Sequence, residues 1–112
     1  KFKGKKNYER EKILKEAKLL ETAGVFSMVL ECIESSLARA ITKQIKIPTI
    51  GIGASNNCDG QILVFDDLIG LNQINVRFIK KYTNIRKEIA KAVSTYAREV
   101  RSKKFPLKKH SY

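Results

Sequence analysis

The 112-residue sequence has few of the residues that build disulfide frameworks and zinc sites. It contains two cysteines, Cys32 and Cys58, and a single histidine, His110. Two cysteines cannot form a disulfide framework, and no Cys/His cluster has the spacing of zinc ligands. We therefore expect two free, buried thiols in a reducing cytosol, a surface position for His110, and no nucleophilic Ser-His-Asp or Cys-His site.

Long apolar runs are also missing. No segment approaches the roughly 20 apolar residues of a membrane-spanning helix, so we expect no membrane partner. The basic start, residues 1–6, is not followed by an apolar stretch of the signal-peptide type, which predicts a cytoplasmic rather than an exported protein. Because the first residue is lysine rather than methionine, we expect the sequence to be a piece of something longer.

The composition is that of an ordinary globular domain. Hydrophobic residues make up 43% of the chain and charged residues 30%, which argues against disorder. The length is short for more than one domain. It is sufficient for a core, because a chain of this size buries roughly two-thirds of its unfolded surface.

Positive charge is concentrated at the two ends of the sequence. The net charge of +12 divides into +5 over residues 1–20, −3 over 21–75 and +10 over 76–112. A basic surface of this size binds polyanions through counterion release, so a basic nucleic-acid-binding module is one hypothesis. Tyr82 and Tyr96 are isolated, and no aromatic motif of the RNA-recognition type is present. We therefore favour lysines that solvate helix faces, with no specific nucleic-acid partner.

Apolar spacing and turn residues predict the order helix, strand, helix, strand, strand, helix. The predicted elements are a helix over 8–23, a strand over 25–30 that ends at Glu31, a helix from 35 or 36 to 45, strands over 49–54 and 61–65, and a helix over 84–101. Asn7 and either Ser35 or Ser36 are predicted N-caps, and Gly24 is a predicted left-handed stop.

Apolar strands that alternate with helices predict an α/β fold with a parallel sheet. Such strands are expected to be buried on both faces. Right-handed crossovers would place Glu31 and Gly53 at the same, C-terminal edge of the sheet. Ligands bind at that edge in α/β folds, so these loops are the candidate site.

Glu31 is the sharpest candidate for chemistry. A carboxylate that ends an apolar strand is costly to bury, so it is expected at the mouth of the sheet. At such a position it can act as a general base. The structural alternative is a strand-end charge paired with a lysine, and the spacing leaves both possibilities open.

Three other motifs carry weaker signals. The segment 51–54, Gly-Ile-Gly-Ala, can allow close approach to a ligand or tight packing, but it lacks the third glycine of a dinucleotide fingerprint. The pair Asp59-Gly60 predicts a turn whose carboxylate caps nearby amides. The neighbours Asp66 and Asp67 are expected to point to opposite faces, so we predict no metal ligands there.

Several segments together resemble a known enzyme family. They are Val-Leu-Glu-Cys-Ile at 29–33, Ile-Pro-Thr-Ile-Gly-Ile-Gly-Ala at 47–54, Cys-Asp-Gly-Gln-Ile-Leu-Val at 58–64 and the ending that includes Ala-Arg-Glu-Val-Arg-Ser at 97–102, Phe-Pro at 105–106 and His-Ser-Tyr at 110–112. In this order they resemble the C-terminal part of the 3-methyl-2-oxobutanoate (ketopantoate) hydroxymethyltransferase family. The resemblance extends from about Lys3 onward.

The resemblance implies a fold and a reaction. It implies that residues 1–112 are the C-terminal segment of a single (β/α)8 TIM barrel, about three βα units containing strands six to eight. The implied enzyme moves a hydroxymethyl group from 5,10-methylenetetrahydrofolate to 3-methyl-2-oxobutanoate, giving 2-dehydropantoate in pantothenate biosynthesis. The glutamate that removes the C3 proton in the family matches Glu31. Implied partners are the keto acid, the folate and further copies of the chain in a homo-oligomer.

The resemblance also implies what this segment lacks. Family enzymes hold the keto acid with Mg2+, whose carboxylate ligands lie in the N-terminal half with the substrate-binding serine and lysine. The chain departs from the family at Glu34, where proline is usual, at Asp66, where histidine is common, and over 71–78, which is one residue short and lacks a usual proline. The alternative to an active segment is a catalytically inactive barrel remnant.

Overall fold

The computed structural model describes residues 2–112. The chain divides into two compact units, one formed by residues up to 63 with 76–79, and the other by 64–75 with 80–112. The first unit contains a parallel sheet and its helices, which confirms the predicted α/β class. No helix within residues 2–112 is both long and apolar enough to cross a bilayer.

The first unit is a three-stranded parallel sheet with helices between its strands. Its elements are α1 (Asn7–Thr22), β1 (Met28–Glu31), α2 (Ser35–Gln44), β2 (Thr49–Ile52) and β3 (Gly60–Gln61). The strand order is β1-β2-β3, so β1 and β3 are the two edges. Glu31 lies opposite Ile52 in the register, which places both residues at the predicted C-terminal edge.

The core lies on one face of this sheet. It is formed by Ala17, Met28, Leu30, Leu37, Ala38, Ile41, Ile45 and Cys58. The prediction that the strands are buried on both faces is wrong, since burial alternates along β1 and Val29 is 60% exposed. Successive side chains of a strand point to opposite faces. The helices of this unit cover only the face that bears Met28 and Leu30.

The ends of the first two helices differ partly from the prediction. Lys6 rather than Asn7 occupies the N-cap position of α1, without a side-chain hydrogen bond, because Asn7 is already helical. Gly24 follows the C-cap with φ 91°, which confirms the left-handed stop. Glu34 caps α2 in place of Ser35 or Ser36, since its carboxylate accepts hydrogen bonds from the first free amides.

The second unit contains α3 (Phe65–Leu68), α4 (Ile85–Arg101) and a 3-10 helix (Lys108–His110). The predicted strand over 61–65 is wrong beyond Gln61, because Phe65 begins α3. The final helix is confirmed, with Asn84 accepting a hydrogen bond from the Lys87 amide at its start. His110 lies on the surface as predicted, and its Nδ1 accepts from the Leu107 amide at 3.2 Å.

Candidate functional site

The candidate site is the C-terminal edge of the sheet, where Glu31 ends β1. The burial alternation places Glu31 on the same face as Val29, opposite the buried Met28 and Leu30. This orientation directs its carboxylate away from the core against which α2 packs. Glu31 is exposed, as a strand-end carboxylate at the mouth of a sheet is expected to be.

The Glu31 carboxylate has no partner in the part of the chain that the structure describes. Neither a hydrogen bond nor an ion pair joins it to another side chain among residues 2–112. Those residues therefore do not supply the lysine that the purely structural interpretation of Glu31 requires. The position of this carboxylate depends on the backbone that carries it.

The backbone after Glu31 forms a tight turn that several backbone hydrogen bonds hold in place. Cys32 has φ 51°, a left-handed conformation that is uncommon for a residue with a side chain. Its amide donates to the Ile52 carbonyl at 2.9 Å, and its carbonyl accepts from the Lys3 amide at 2.8 Å. The Glu34 amide in turn donates to the Lys3 carbonyl at 2.8 Å, so Lys3 pairs in parallel with Ile33 along the free edge.

Glu34 connects this turn to two helices. Its Oε2 accepts from the amides of Ser36 at 3.0 Å and Leu37 at 3.1 Å, and it lies 2.9 Å from Arg10 Nη1 on α1. The Ser36 hydroxyl and amide, followed by Arg10 and the Leu37 amide, lower the pKa of the Glu34 carboxyl to about 2. Arg10 also donates to the Gly4 carbonyl at 3.2 Å, which fixes the segment next to Lys3.

The loop after β2 is held by close packing and by one carboxylate. A Cβ on Gly53, which has φ 65°, would lie 2.9 Å from the Phe78 ring. A Cβ on Gly51 would lie 2.9–3.0 Å from the side chains of Gln61 and Cys58. Close packing against Phe78 and the positive φ favour glycine at position 53, whereas the atoms nearest Gly51 include the flexible end of Gln61. The Asp59 carboxylate accepts from the Thr49 amide at 2.8 Å, which confirms its predicted capping role.

Comparison with known proteins identifies the family. The model of ketopantoate hydroxymethyltransferase matches residues 1–108. The chain belongs to the ketopantoate hydroxymethyltransferase family. The resemblance inferred from the sequence motifs is thereby confirmed.

Three relatives, each named 3-methyl-2-oxobutanoate hydroxymethyltransferase, show how much of a family member this chain represents. The protein from Pelagibacter ubique is 63% identical over 112 residues, 100% of this chain and 44% of the relative. The Phenylobacterium zucineum protein is 51% identical over 106 residues (95% and 38%), and the Sulfolobus acidocaldarius protein is 48% identical over 103 residues (92% and 38%). The chain thus spans less than half of these relatives and corresponds to the C-terminal portion.

The other side chains considered as possible ligands or nucleophiles are the aspartates of the second unit and the two cysteines. Asp67 is 7% exposed and accepts from the Asn72 side-chain amide at 2.9 Å, whereas Asp66 is exposed. Both cysteines are free thiols, as predicted, and Cys58 is buried. The expected burial of Cys32 is wrong, because it lies in the turn after β1 and is partly exposed. Within residues 2–112, no three His, Cys, Asp or Glu side chains come together as a possible metal site.

A groove that sequence reasoning did not predict runs along the free edge of β1. It has a volume of about 470 Å³ and is lined by apolar residues of α1, by β1 including Glu31, and by Ile33. Charged residues also line it, namely Lys3, Glu9, Lys12 and Glu16. A local sequence pattern cannot reveal such a groove, because it depends on which strand lies at the edge of the sheet.

Proposed function

We propose that this chain is the C-terminal part of an enzyme that transfers a hydroxymethyl group from 5,10-methylenetetrahydrofolate to 3-methyl-2-oxobutanoate. Glu31 is the base that removes the proton from C3 of the keto acid. Family membership supports the reaction. The observation that carries the role of Glu31 is its place at the C-terminal end of β1, exposed and on the face opposite the core.

The chemistry assigned to Glu31 is a single proton transfer. Its carboxylate takes the C3 proton, and the electron pair of the broken C–H bond passes into an enolate with the neighbouring ketone. The enolate carbon would then form the new C–C bond to the one-carbon unit of the folate. The two C–N bonds that hold this carbon would break, water would supply the oxygen of the hydroxymethyl group, and tetrahydrofolate would leave. A carboxylate without a competing ion pair is suited to this step, since a salt bridge would weaken it as a base.

Mg2+, which the family implies, is not assigned to residues of this chain. The described residues offer no group of three ligating side chains, and the carboxylates that hold Mg2+ in the family are expected in the portion of the relatives beyond this segment. No step of the proposed mechanism is therefore routed through the ion.

The remainder of the proposal concerns the whole protein. The sheet and helices of the first unit are part of a (β/α)8 barrel, completed by the portion that the longer relatives possess. The whole protein is a cytoplasmic homo-oligomer that binds the keto acid and the folate. The parallel strand order and the uncovered edge at β1 support the barrel assignment.

The test uses a chimera in which this chain replaces the matching 112 residues of the Pelagibacter ubique relative. Tritium exchange at C3 of 3-methyl-2-oxobutanoate reports the proton transfer alone. We expect Glu31→Gln to lower the exchange rate by about 10² to 10⁴-fold, with Mg2+-dependent substrate binding retained. Exchange near the unsubstituted rate would show that another group is the base.

Two controls separate the alternatives. Glu21→Gln alters a carboxylate that accepts from the Lys46 amide at the opposite end of the sheet, and we expect it to leave exchange unchanged. The 112-residue chain alone is expected to show no turnover, and robust exchange by it would contradict the proposal. A well-folded chimera without activity would favour the inactive remnant.

A further inference from the structure

We infer that Glu34 and Arg10 are positioning residues for Glu31, because together they hold the turn that fixes the direction of the base. This inference rests on the proposed role of Glu31 and assigns new roles to two residues beside it. Neither side chain is proposed to contact substrate. Their effect passes through the backbone of residues 32–34.

The direction of the Glu31 side chain depends on the backbone that carries it. Its carboxylate has no hydrogen-bond or ion-pair partner among residues 2–112, so no polar contact within that range fixes its direction. The residue immediately after it, Cys32, has a left-handed conformation with φ 51°. Such a conformation costs free energy and persists only when the surrounding structure enforces it.

Backbone hydrogen bonds on both sides of Cys32 enforce the turn. Backbone hydrogen bonds tie Cys32 to Ile52 on one side and to Lys3 on the other, and Lys3 also accepts from the Glu34 amide. The segment that carries Lys3 is itself fixed through Gly4, whose amide donates to Glu9 Oε2 at 2.8 Å and whose carbonyl accepts from Arg10. Arg10 therefore supports the turn from the side of α1.

Glu34 connects the turn to both α1 and α2. One oxygen of its carboxylate, Oε2, accepts hydrogen bonds from the Ser36 and Leu37 amides of α2 and from the guanidinium of Arg10. An N-cap alone requires only the amides, so the cation from α1 is an additional tie. The two side chains are only 27% and 29% exposed, and the charge-assisted bond between them is correspondingly sheltered.

The ion pair between Glu34 and Arg10 keeps its charges over the pH range that matters for catalysis. The hydrogen bonds that lower the pKa of the Glu34 carboxyl to about 2 keep it ionised throughout the range in which a glutamate base works. The Glu34–Arg10 ion pair therefore stays intact while Glu31 exchanges its proton. A displacement of about 1 Å at a reacting group can cost on the order of a hundredfold in rate, so losing the tie should be visible in catalysis.

The test compares three variants of the Pelagibacter ubique chimera. Arg10→Met removes the cation, and Glu34→Gln removes the negative charge. Glu34→Asp keeps a good N-cap but is one methylene shorter, so it separates capping of α2 from contact with Arg10. We expect each variant to lower kcat for tritium exchange by about tenfold or more while KM changes less than twofold.

Two further measurements distinguish positioning from general destabilisation. Glu21→Gln is the matched control, since it weakens another carboxylate–amide tie of α1, to Lys46, away from the site. We expect it to leave kcat within twofold. Hydrogen exchange at the Cys32 amide, measured by mass spectrometry on the folded variants, should accelerate at least tenfold in Arg10→Met and Glu34→Asp but not in Glu21→Gln.

The outcomes separate this inference from the proposed function. If Glu31→Gln abolishes exchange while Arg10→Met and Glu34→Asp retain the unsubstituted kcat, the positioning role is wrong and the base assignment stands. If Glu31→Gln remains active, the base assignment fails and the inference fails with it. An equal loss of kcat in Glu21→Gln would show that stability, rather than position, is being measured.

Discussion

Replacement of Thr49 by valine tests whether a buried polar cluster holds the loop after β2. Thr49 is fully buried, and its Oγ1 lies 3.1 Å from Asp59 Oδ2, 3.2 Å from the Asp59 amide nitrogen and 2.9 Å from Thr42 Oγ1. Thr42 already has the Ala38 carbonyl as an acceptor at 2.9 Å. Valine has nearly the same shape as threonine, so the substitution removes the hydroxyl without opening a cavity.

The expected cost follows from counting hydrogens in this cluster. The Thr49 hydroxyl has one proton to donate, and with Thr42 bonded to Ala38 that proton can serve Asp59 or Thr42 but not both. The valine therefore removes one donated bond and leaves the Asp59 amide without its acceptor. The loss of one hydrogen bond lowers the free energy of unfolding by about 1 kcal/mol, and a buried amide left without an acceptor lowers it somewhat more. We expect Thr49→Val to lower the free energy of unfolding by about 2 kcal/mol.

Urea unfolding of the 112-residue chain, followed by far-ultraviolet circular dichroism, measures this loss. Thr42→Val is the matched control, because it removes a helical back-bond from a less buried hydroxyl, and we expect it to cost at most about 1 kcal/mol. Two equal costs would contradict the reasoning. A change below about 0.5 kcal/mol for Thr49→Val would show that the cluster does not stabilise the fold.

Three further results are expected. Leu37→Ala, at a fully buried position of the core, should lower the free energy of unfolding by about 2–5 kcal/mol in the same urea assay, and less than 1 kcal/mol would show a loose core. NMR titration of the Glu34 carboxyl should give a pKa of about 2. Since this lies below the ordinary 4.5, its stabilisation is complete above pH 4.5 and is lost toward pH 2. An unshifted titration would contradict the hydrogen bonds from Ser36, which lower the pKa most, and those from Arg10 and the Leu37 amide. Gly70→Ala should be much more damaging to thermal stability than Gly24→Ala, because both have positive φ but only the first would place a Cβ 2.3 Å from the Thr83 carbonyl oxygen; equal losses would contradict this steric explanation.

Elements that depend on local signals could be predicted from the sequence. Helix α4 is an example, because the helical spacing of its apolar residues lies within the element itself. The parallel arrangement of β1 and β2 followed from the alternation of helix and strand. The position of Glu31 at the C-terminal edge followed from the same topology.

Features that depend on distant residues could not be predicted in this way. Serine is usually the better N-cap, so the sequence favoured Ser35 or Ser36 over Glu34. Glu34 caps α2 while paired with Arg10, which lies 24 residues earlier in the chain. The apolar run that begins at Ile62 was compatible with a strand, because a short apolar run does not by itself distinguish a strand from a helix, and Phe65 begins α3.

The short pairing between Lys3 and Ile33 restricts the direction in which the free edge of β1 can be extended. Because this pairing is parallel, polypeptide leading into Lys3 from before it would run in the same direction as β1 and alongside it. Two copies joined edge to edge about a twofold axis would instead bring their β1 strands together in opposite directions. The pairing already present along this edge is therefore of the parallel kind, and a strand that continued it would extend the sheet in the same sense as β1.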